Sequence, residues 1–211
     1  GQDVLATARG QAMPAAPVRI GVVASLPRLV ARRFVSPALR THRVVLVHGA
    51  ADPLVADLAA HRLDVLLTDA TVAPDAAIKV YAHPVASSKL ALFCRAELRL
   101  RLARHLPASL DGAPVLLPAE GSPQRQALHG AFTRLKLRPK IVAEVDDSAL
   151  LKALASDGFG LIAAPLLVQD ELERIWGLEL LYRLPVREAY FALTLQRRLE
   201  HPGVQALLEG A

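Results

Sequence analysis

Apolar residues in this chain come in short unbroken runs. Most runs hand over to a polar step and then to apolar positions at helical spacing. The stretch "VRIGVVASLPRLV", positions 18–30, shows the unit. Ile20 to Val23 predicts a strand, and Pro27 to Leu39 predicts a helix with Leu26, Leu29, Val30 and Phe34 along one side. Val44 to Val47 predicts a second strand. Asp52-Pro53 predicts the next helix start, with Asp as N-cap and Pro at the first helical position, and that helix runs to about His61. "LDVLLTDA" predicts a third strand ending at Thr68-Asp69. Apolar runs without alternation suit strands buried on both faces, as in a parallel sheet.

The pattern then loosens. "KVYAHPVASSKLALFCRA" predicts two extended segments around a Pro-Ser-Ser passage, followed by a helix rich in leucine and arginine. Alternation resumes with a strand at Val115 to Leu117, the loop Ala119-Glu120-Gly121, and a helix opened by Ser122-Pro123. "KIVAEV" predicts a strand, and Asp146-Asp147-Ser148 caps a helix from Ala149 to Ser156 that Gly158 ends. "GLIAA" is a strand, Pro165 opens a short helix, "REAYFALTLQ" is a late strand and "HPGVQALLEG" a last helix. Strand-helix alternation predicts an α/β fold with parallel strands. The break near Ala86 to Ser88 divides it into two similar lobes, with the leftover strand and helix returning to the first.

Composition narrows the function classes. Hydrophobic residues are 53% of the chain, which is ample for a core. No apolar run approaches the ~18 residues that span a bilayer. The start, "GQDVLATARGQAMPAAP", has no signal-peptide core, which favours a cytoplasmic protein. A single cysteine, Cys94, excludes an intramolecular disulfide, and its setting in "KLALFC" reads as a buried strand thiol. The formal net charge of +5 is spread along the chain, and aromatics are only 4%, so neither a basic block nor base-stacking platforms stand out.

Motifs for chemistry are few. "GFGLIA" matches a dinucleotide fingerprint in letters, but its glycines follow a helix and precede a strand, the reverse of the required order. They read as a helix stop and tight turn, and no cofactor is expected. There is no Walker sequence, no G-x-S-x-G, and no metal-type spacing among the seven histidines. Neither a metal site nor an enzyme is expected. What remains is the set of strand-to-helix junctions, where open α/β sheets bind ligands. They are Ala24-Ser25-Leu26, Gly49-Ala50-Ala51-Asp52, Thr68-Asp69-Ala70, Ala119-Glu120-Gly121-Ser122 and Asp146-Asp147-Ser148. Each presents hydroxyls, carboxylates or free backbone N–H groups, and plain helix capping is the competing use of each residue.

The segments "VRIGVVASLPRLVARRFVSPAL", "LVADLAAHRLDVLLTD", "LLPAEGSPQRQALHGAF" and "EVDDSALLKALASDGFGLIAAP" resemble the effector-binding domain of LysR-type transcriptional regulators. The wording is most similar to the NhaR-like branch, activators of a sodium/proton antiporter gene. The resemblance runs from about Val18 to the C-terminus. It implies two Rossmann-like lobes joined by two crossover strands, a type 2 periplasmic-binding-protein-like fold. Lobe I would hold 18–86 and 190–211 and lobe II 87–189, with 1–17 a remnant of a linker. It implies a homodimer or higher homo-oligomer. It also implies operator DNA bound only through an N-terminal winged helix-turn-helix, which this chain lacks. The isolated chain is then expected to bind DNA weakly and without sequence preference. A transporter's solute-binding protein of the same fold is the alternative.

Carried over by position, family effector contacts fall on Ser25, Leu26, the loop at Ala51-Asp52, and Glu120, Gly121 and Ser122 opposite. Thr68, Asp69, Asp146 and Asp147 lie at the same strand ends. Ala51 stands where family members often have a hydroxyl. Leu29, Arg33 and Phe34 are expected to meet a partner chain, because the apolar face of their helix is rich. Ser25 and Ser122 are each expected to cap a helix facing one cleft. The acids Asp52, Asp69, Glu120, Asp146 and Asp147 on its rim favour a cation or cationic group over a bare carboxylate. The expected partner is thus a small molecule or ion, with no membrane.

Overall fold

Two strands of unusual length organise the molecule. The computed structural model describes residues 15–72, 77–197 and 199–209. Its elements are β1 (Val18–Val23), α1 (Arg28–Leu39), β2 (Val44–Gly49), α2 (Ala51–Ala59), β3 (Val65–Thr68), β4 (Tyr81–Cys94), α3 (Ala96–Leu102), β5 (Pro114–Pro118), α4 (Pro123–Leu135), β6 (Lys140–Val145), α5 (Ser148–Ser156), β7 (Ile162–Pro165), α6 (Gln169–Trp176), β8 (Glu179–Thr194) and α7 (Pro202–Glu209). Most of the expected linker remnant, 1–17, lies outside the described residues.

The six-stranded sheet has the order β2-β1-β3-β8-β4-β7. β1 runs parallel to β2 and β3, whereas β8 is antiparallel to β3 and β4. β5 and β6 pair in parallel. They join the second half through Leu161, whose N–H reaches Pro114 O and whose carbonyl accepts from Leu116 N, both at 2.8 Å. The antiparallel pair β4/β8 therefore passes through both lobes, and the fold is the two-lobe α/β architecture the sequence implied.

The expected pair of segments around Pro-Ser-Ser is in fact one continuous strand of 14 residues. Register shifts between Pro84 and Ala86, and again between Lys89 and Ala91, take up the irregularity in its pairing with β8. A bulge lets a strand continue past residues that read as a break. "REAYFALTLQ" is likewise the second half of a 16-residue strand. From Leu90 to Cys94 the side chains of β4 alternate between two clusters, across a further register shift between Leu92 and Phe93. Leu90, Leu92 and Cys94 pack with Val115, Leu117 and Phe132, while Ala91 and Phe93 join a larger cluster with Leu116, Ile162 and, from lobe I, Ile20 and Leu66. Cys94 is buried, and burial pushes its thiol up to about 12.

Not every apolar run is covered on both faces. β1 and β3 are, but β2 and β6 are edges. Val45, Leu46 and Val47 on β2, and Ile141 and Val142 on β6, are all exposed. Phe34 corrects a second expectation. It is 1% exposed, with its ring 6.3 Å from that of Tyr190, so it belongs to the lobe's own core and offers nothing to a partner chain. The rich apolar face of α1 is covered internally, in part by α7.

The caps also divide. Ser122 Oγ accepts from Arg125 N at 3.1 Å, with Pro123 opening α4, and Asp147 Oδ1 accepts from Ala149 N and Leu150 N, each at 2.9 Å. In α2 the N-cap is Ala50, and Asp52 sits within the first turn. In α1 the N-cap is Pro27, and Ser25 caps nothing. The "GFG" glycines do end a helix: Gly158 has φ +89°, and a Cβ on Gly160 would lie 2.9 Å from Pro114 O, so glycine lets the chain pass close to β5.

Candidate ligand-binding cleft

Where β1 and β5 end, the chain turns into α1 and α4, and β6 turns into α5. The first turns of these three helices meet around a cavity of about 410 Å³. Ser25, Leu26, Arg28 and His48 line it from lobe I, and Ser122, Gln124, Asp146, Ser148 and Lys152 from lobe II. Leu26 is fixed by a bond from its N–H to Val23 O at 3.1 Å and is nearly buried, so it supplies backbone and a wall. Free N–H groups at helix starts make such a place receptive to polar ligands.

Of the residues singled out from the sequence, the structure brings Ser25, Leu26, Ser122 and Asp146 to this cavity. Asp69 lies behind Ser25, whose hydroxyl donates to Asp69 Oδ1 at 2.8 Å. Thr68 is buried, its hydroxyl closing a turn with Ala70 N and O at 3.1 Å. Ala51, Asp52, Glu120, Gly121 and Asp147 are exposed and do not line the cavity. Asp147 is engaged as a cap: the Leu150 N–H holds its carboxyl below the usual range. The acidic rim expected from the sequence thus shrinks to Asp146, because sequence order says which loop a carboxylate is on but not which way it faces. Among the described residues, no group of three or more His, Cys, Asp and Glu could hold a metal ion.

Lys152 went unnoticed in the sequence. It is only 8% exposed, and burial, with the nearby Arg28 charge adding to it, brings its ammonium down to about 8. A signal was there. Ser148, Leu151, Lys152 and Ala155 recur at helical spacing, and Leu151, Lys152 and Ala155 are the buried residues of α5. A lysine on the inward stripe of a helix is the anomaly to look for.

A second polar group lies alongside. Tyr190 on β8 donates its hydroxyl to Glu188 Oε2 at 2.7 Å. Burial pushes the Glu188 carboxyl above its ordinary range, and the charge of Asp69 adds to this. Asp69 is raised too, by burial against the Ser25 hydrogen bond. Neither has an ion-pair partner among the described residues. The folded chain therefore holds protons where the unfolded chain has released them. Stability from this pair is complete below the ordinary carboxylate range and is lost as pH rises through the raised folded values. Glu188→Gln is expected to raise neutral-pH stability by on the order of 1 kcal/mol, with no gain near pH 4. Urea unfolding across that interval measures it.

A family model described as the LysR substrate binding domain matches residues 11–210. The transcriptional activator protein NhaR of Escherichia coli K12 is 24% identical over 155 residues, 73% of this chain and 50% of that protein. The chain spans about half the length of the curated relatives it matches. Among solved structures, the regulatory domain of Synechocystis PCC6803 CcmR in complex with 2-PG superposes with a TM-score of 0.63 at 14% identity, over 92% of this chain and 94% of that one. The BenM effector-binding domain with benzoate gives 0.64 at 18% identity, over 94% and 91%. At such identities the likeness speaks for the fold.

Proposed function

The chain belongs to the LysR substrate-binding domain family, a domain of transcriptional regulators, and from that premise we propose that it senses a small effector held between Ser25 and Ser122. The observation that carries this is the cavity itself, lined from both lobes by hydroxyls and helix first turns. The CcmR and BenM domains, each solved with a small molecule, support it. In this reading the domain is a sensor rather than an enzyme. It answers to a DNA-binding domain joined at its N-terminal side, and it works in the cytoplasm where its DNA lies. No helix among the described residues is long and apolar enough to cross a membrane.

Self-association also needs a surface. With the face of α1 covered and Phe34 in the core, the exposed apolar edges β2 and β6 are the better candidates, each ending its own sheet with unpaired backbone groups. Leu29 is half-buried beside the cleft, whereas Arg33 is exposed and donates to Leu167 O at 3.2 Å, so Arg33 is the most open of the three to a partner chain.

The test of the cleft is calorimetry with simple organic acids and with sodium, lithium and potassium chlorides at constant ionic strength. Ser25→Ala and Ser122→Ala should each weaken the bound species by roughly fivefold to tenfold, the worth of one hydrogen bond. Binding indifferent to both substitutions would place the effector elsewhere.

A further inference from the structure

Lys152 lies on the inward stripe of α5 with nearly all its surface covered, yet its Nζ has one recorded acceptor, Ser148 O at 3.1 Å. It forms no ion pair among the described residues. Beside it the Ser148 hydroxyl oxygen is buried and has no hydrogen-bond partner at all. From the other lobe Arg28, the first residue of α1, lines the same cavity, near enough for its charge to act on Lys152. The buried Lys152 ammonium and the more exposed Arg28 guanidinium repel each other, and the Ser148 hydroxyl has no acceptor for its proton; an anion placed among them would satisfy all three. Two carboxylates oppose an anion here: Asp146 lines the cavity, and Asp147, although its Oδ1 accepts the capping bonds, is near enough for its charge to act on both Lys152 and Arg28. Neither makes an ion pair with Lys152 or Arg28, and His48 completes the lining from β2.

Resting on the cleft reading above, we propose that Lys152, Ser148 and Arg28 form an oxyanion subsite that receives a carboxylate or phosphate group of the effector. The effector is then an anion, not the cation that the acidic loops had favoured, and it touches both lobes. Affinity is proton-linked. Lys152, with its ammonium near 8, binds the anion as a cation at neutral pH and loses its hold as pH rises past that value.

The experiment follows the ¹³Cε resonance of Lys152, assigned by its loss in Lys152→Met, through a pH titration of the whole chain. Succinate and inorganic phosphate serve as separate probes for a carboxylate or a phosphate source, with sodium and lithium chloride as controls at equal ionic strength. The expected result is a rise in the Lys152 midpoint with at least one probe, and a loss of affinity for that probe of about tenfold or more in Lys152→Met. Lys152→Arg, which keeps the charge, should retain more of it. If the amides of Ser25 and Ser122 respond to a probe while the Lys152 midpoint stays fixed and Lys152→Met binds as the parent does, the subsite is refuted and the cleft stands. Silence toward both anions, or a response to the cations alone, also refutes it. An anion response confined to residues outside the cleft removes the subsite and the cleft together.

Discussion

Lys152→Met is expected to be harder to unfold than the parent chain at neutral pH, by about 2 kcal/mol. The ordinary ammonium value of 10.5 drops to about 8 in the folded chain. That difference corresponds to roughly 3 kcal/mol of penalty on the charged form. Methionine fills the aliphatic stem's volume without a charge. Loss of the bond to Ser148 O offsets about 1 kcal/mol of the gain. The sign with pH is fixed by linkage. Below about 8 both states hold the proton, and the folded state bears the whole penalty. Between about 8 and 10.5 the folded ammonium releases its proton first, so parent stability rises and the advantage of the variant fades. Guanidinium unfolding at pH 7 and above pH 10 measures both points. Equal stability at pH 7 would mean that solvent reaches Lys152 far more than its surroundings imply. In the proposed subsite the same substitution is expected to cost anion affinity, so stability and binding should move in opposite directions.

Phe34→Ala is expected to cost about 3–5 kcal/mol of unfolding free energy. The ring is 1% exposed and is packed against Tyr190 within the cluster that also holds Val30, Val35 and Leu207. Truncation removes apolar area from the core and leaves a cavity that close-packed neighbours only partly fill. Loss of association after this change would follow from loss of fold. Leu46→Asp is the contrasting variant. Leu46 is 53% exposed on the β2 edge, so unfolding should move by less than about 0.5 kcal/mol. If β2 meets another copy of the chain, sedimentation should shift toward the monomer. A Phe34→Ala chain as stable as the parent would return that residue to the surface. A Leu46→Asp chain that associates unchanged would clear the β2 edge.

Local chemistry was legible wherever it rested on near neighbours in the chain. Ser122-Pro123 opens α4 and Asp147 caps α5 because a cap needs only the next three residues. Gly158 ends α5 for the same kind of reason, since a left-handed turn is a property of one residue. The strand-helix rhythm gave the α/β class, and the family wording gave two lobes and a cleft between strand ends. Of the residues named on that basis, the structure brings Ser25, Leu26, Ser122 and Asp146 around one cavity.

Long-range choices needed the tertiary structure. Ser25 looks like a cap, but its hydroxyl is drawn to Asp69, 44 positions away, once β1 and β3 lie side by side. β4 looks broken at Pro84 to Ser88 until β8 pairs along its length and bulges absorb the mismatch. Phe34 looks like surplus apolar surface until α7 and Tyr190 close over its helix. The direction of the charged groups at the cleft was hidden for the same reason. Counting carboxylates on loops gave an acidic rim, but most of them face solvent, while a lysine inside an apolar helix turns inward. A sequence determines which groups are available at each junction; direction and burial, which decide whether a charge is screened by water or left to a ligand, exist only once distant segments have packed together.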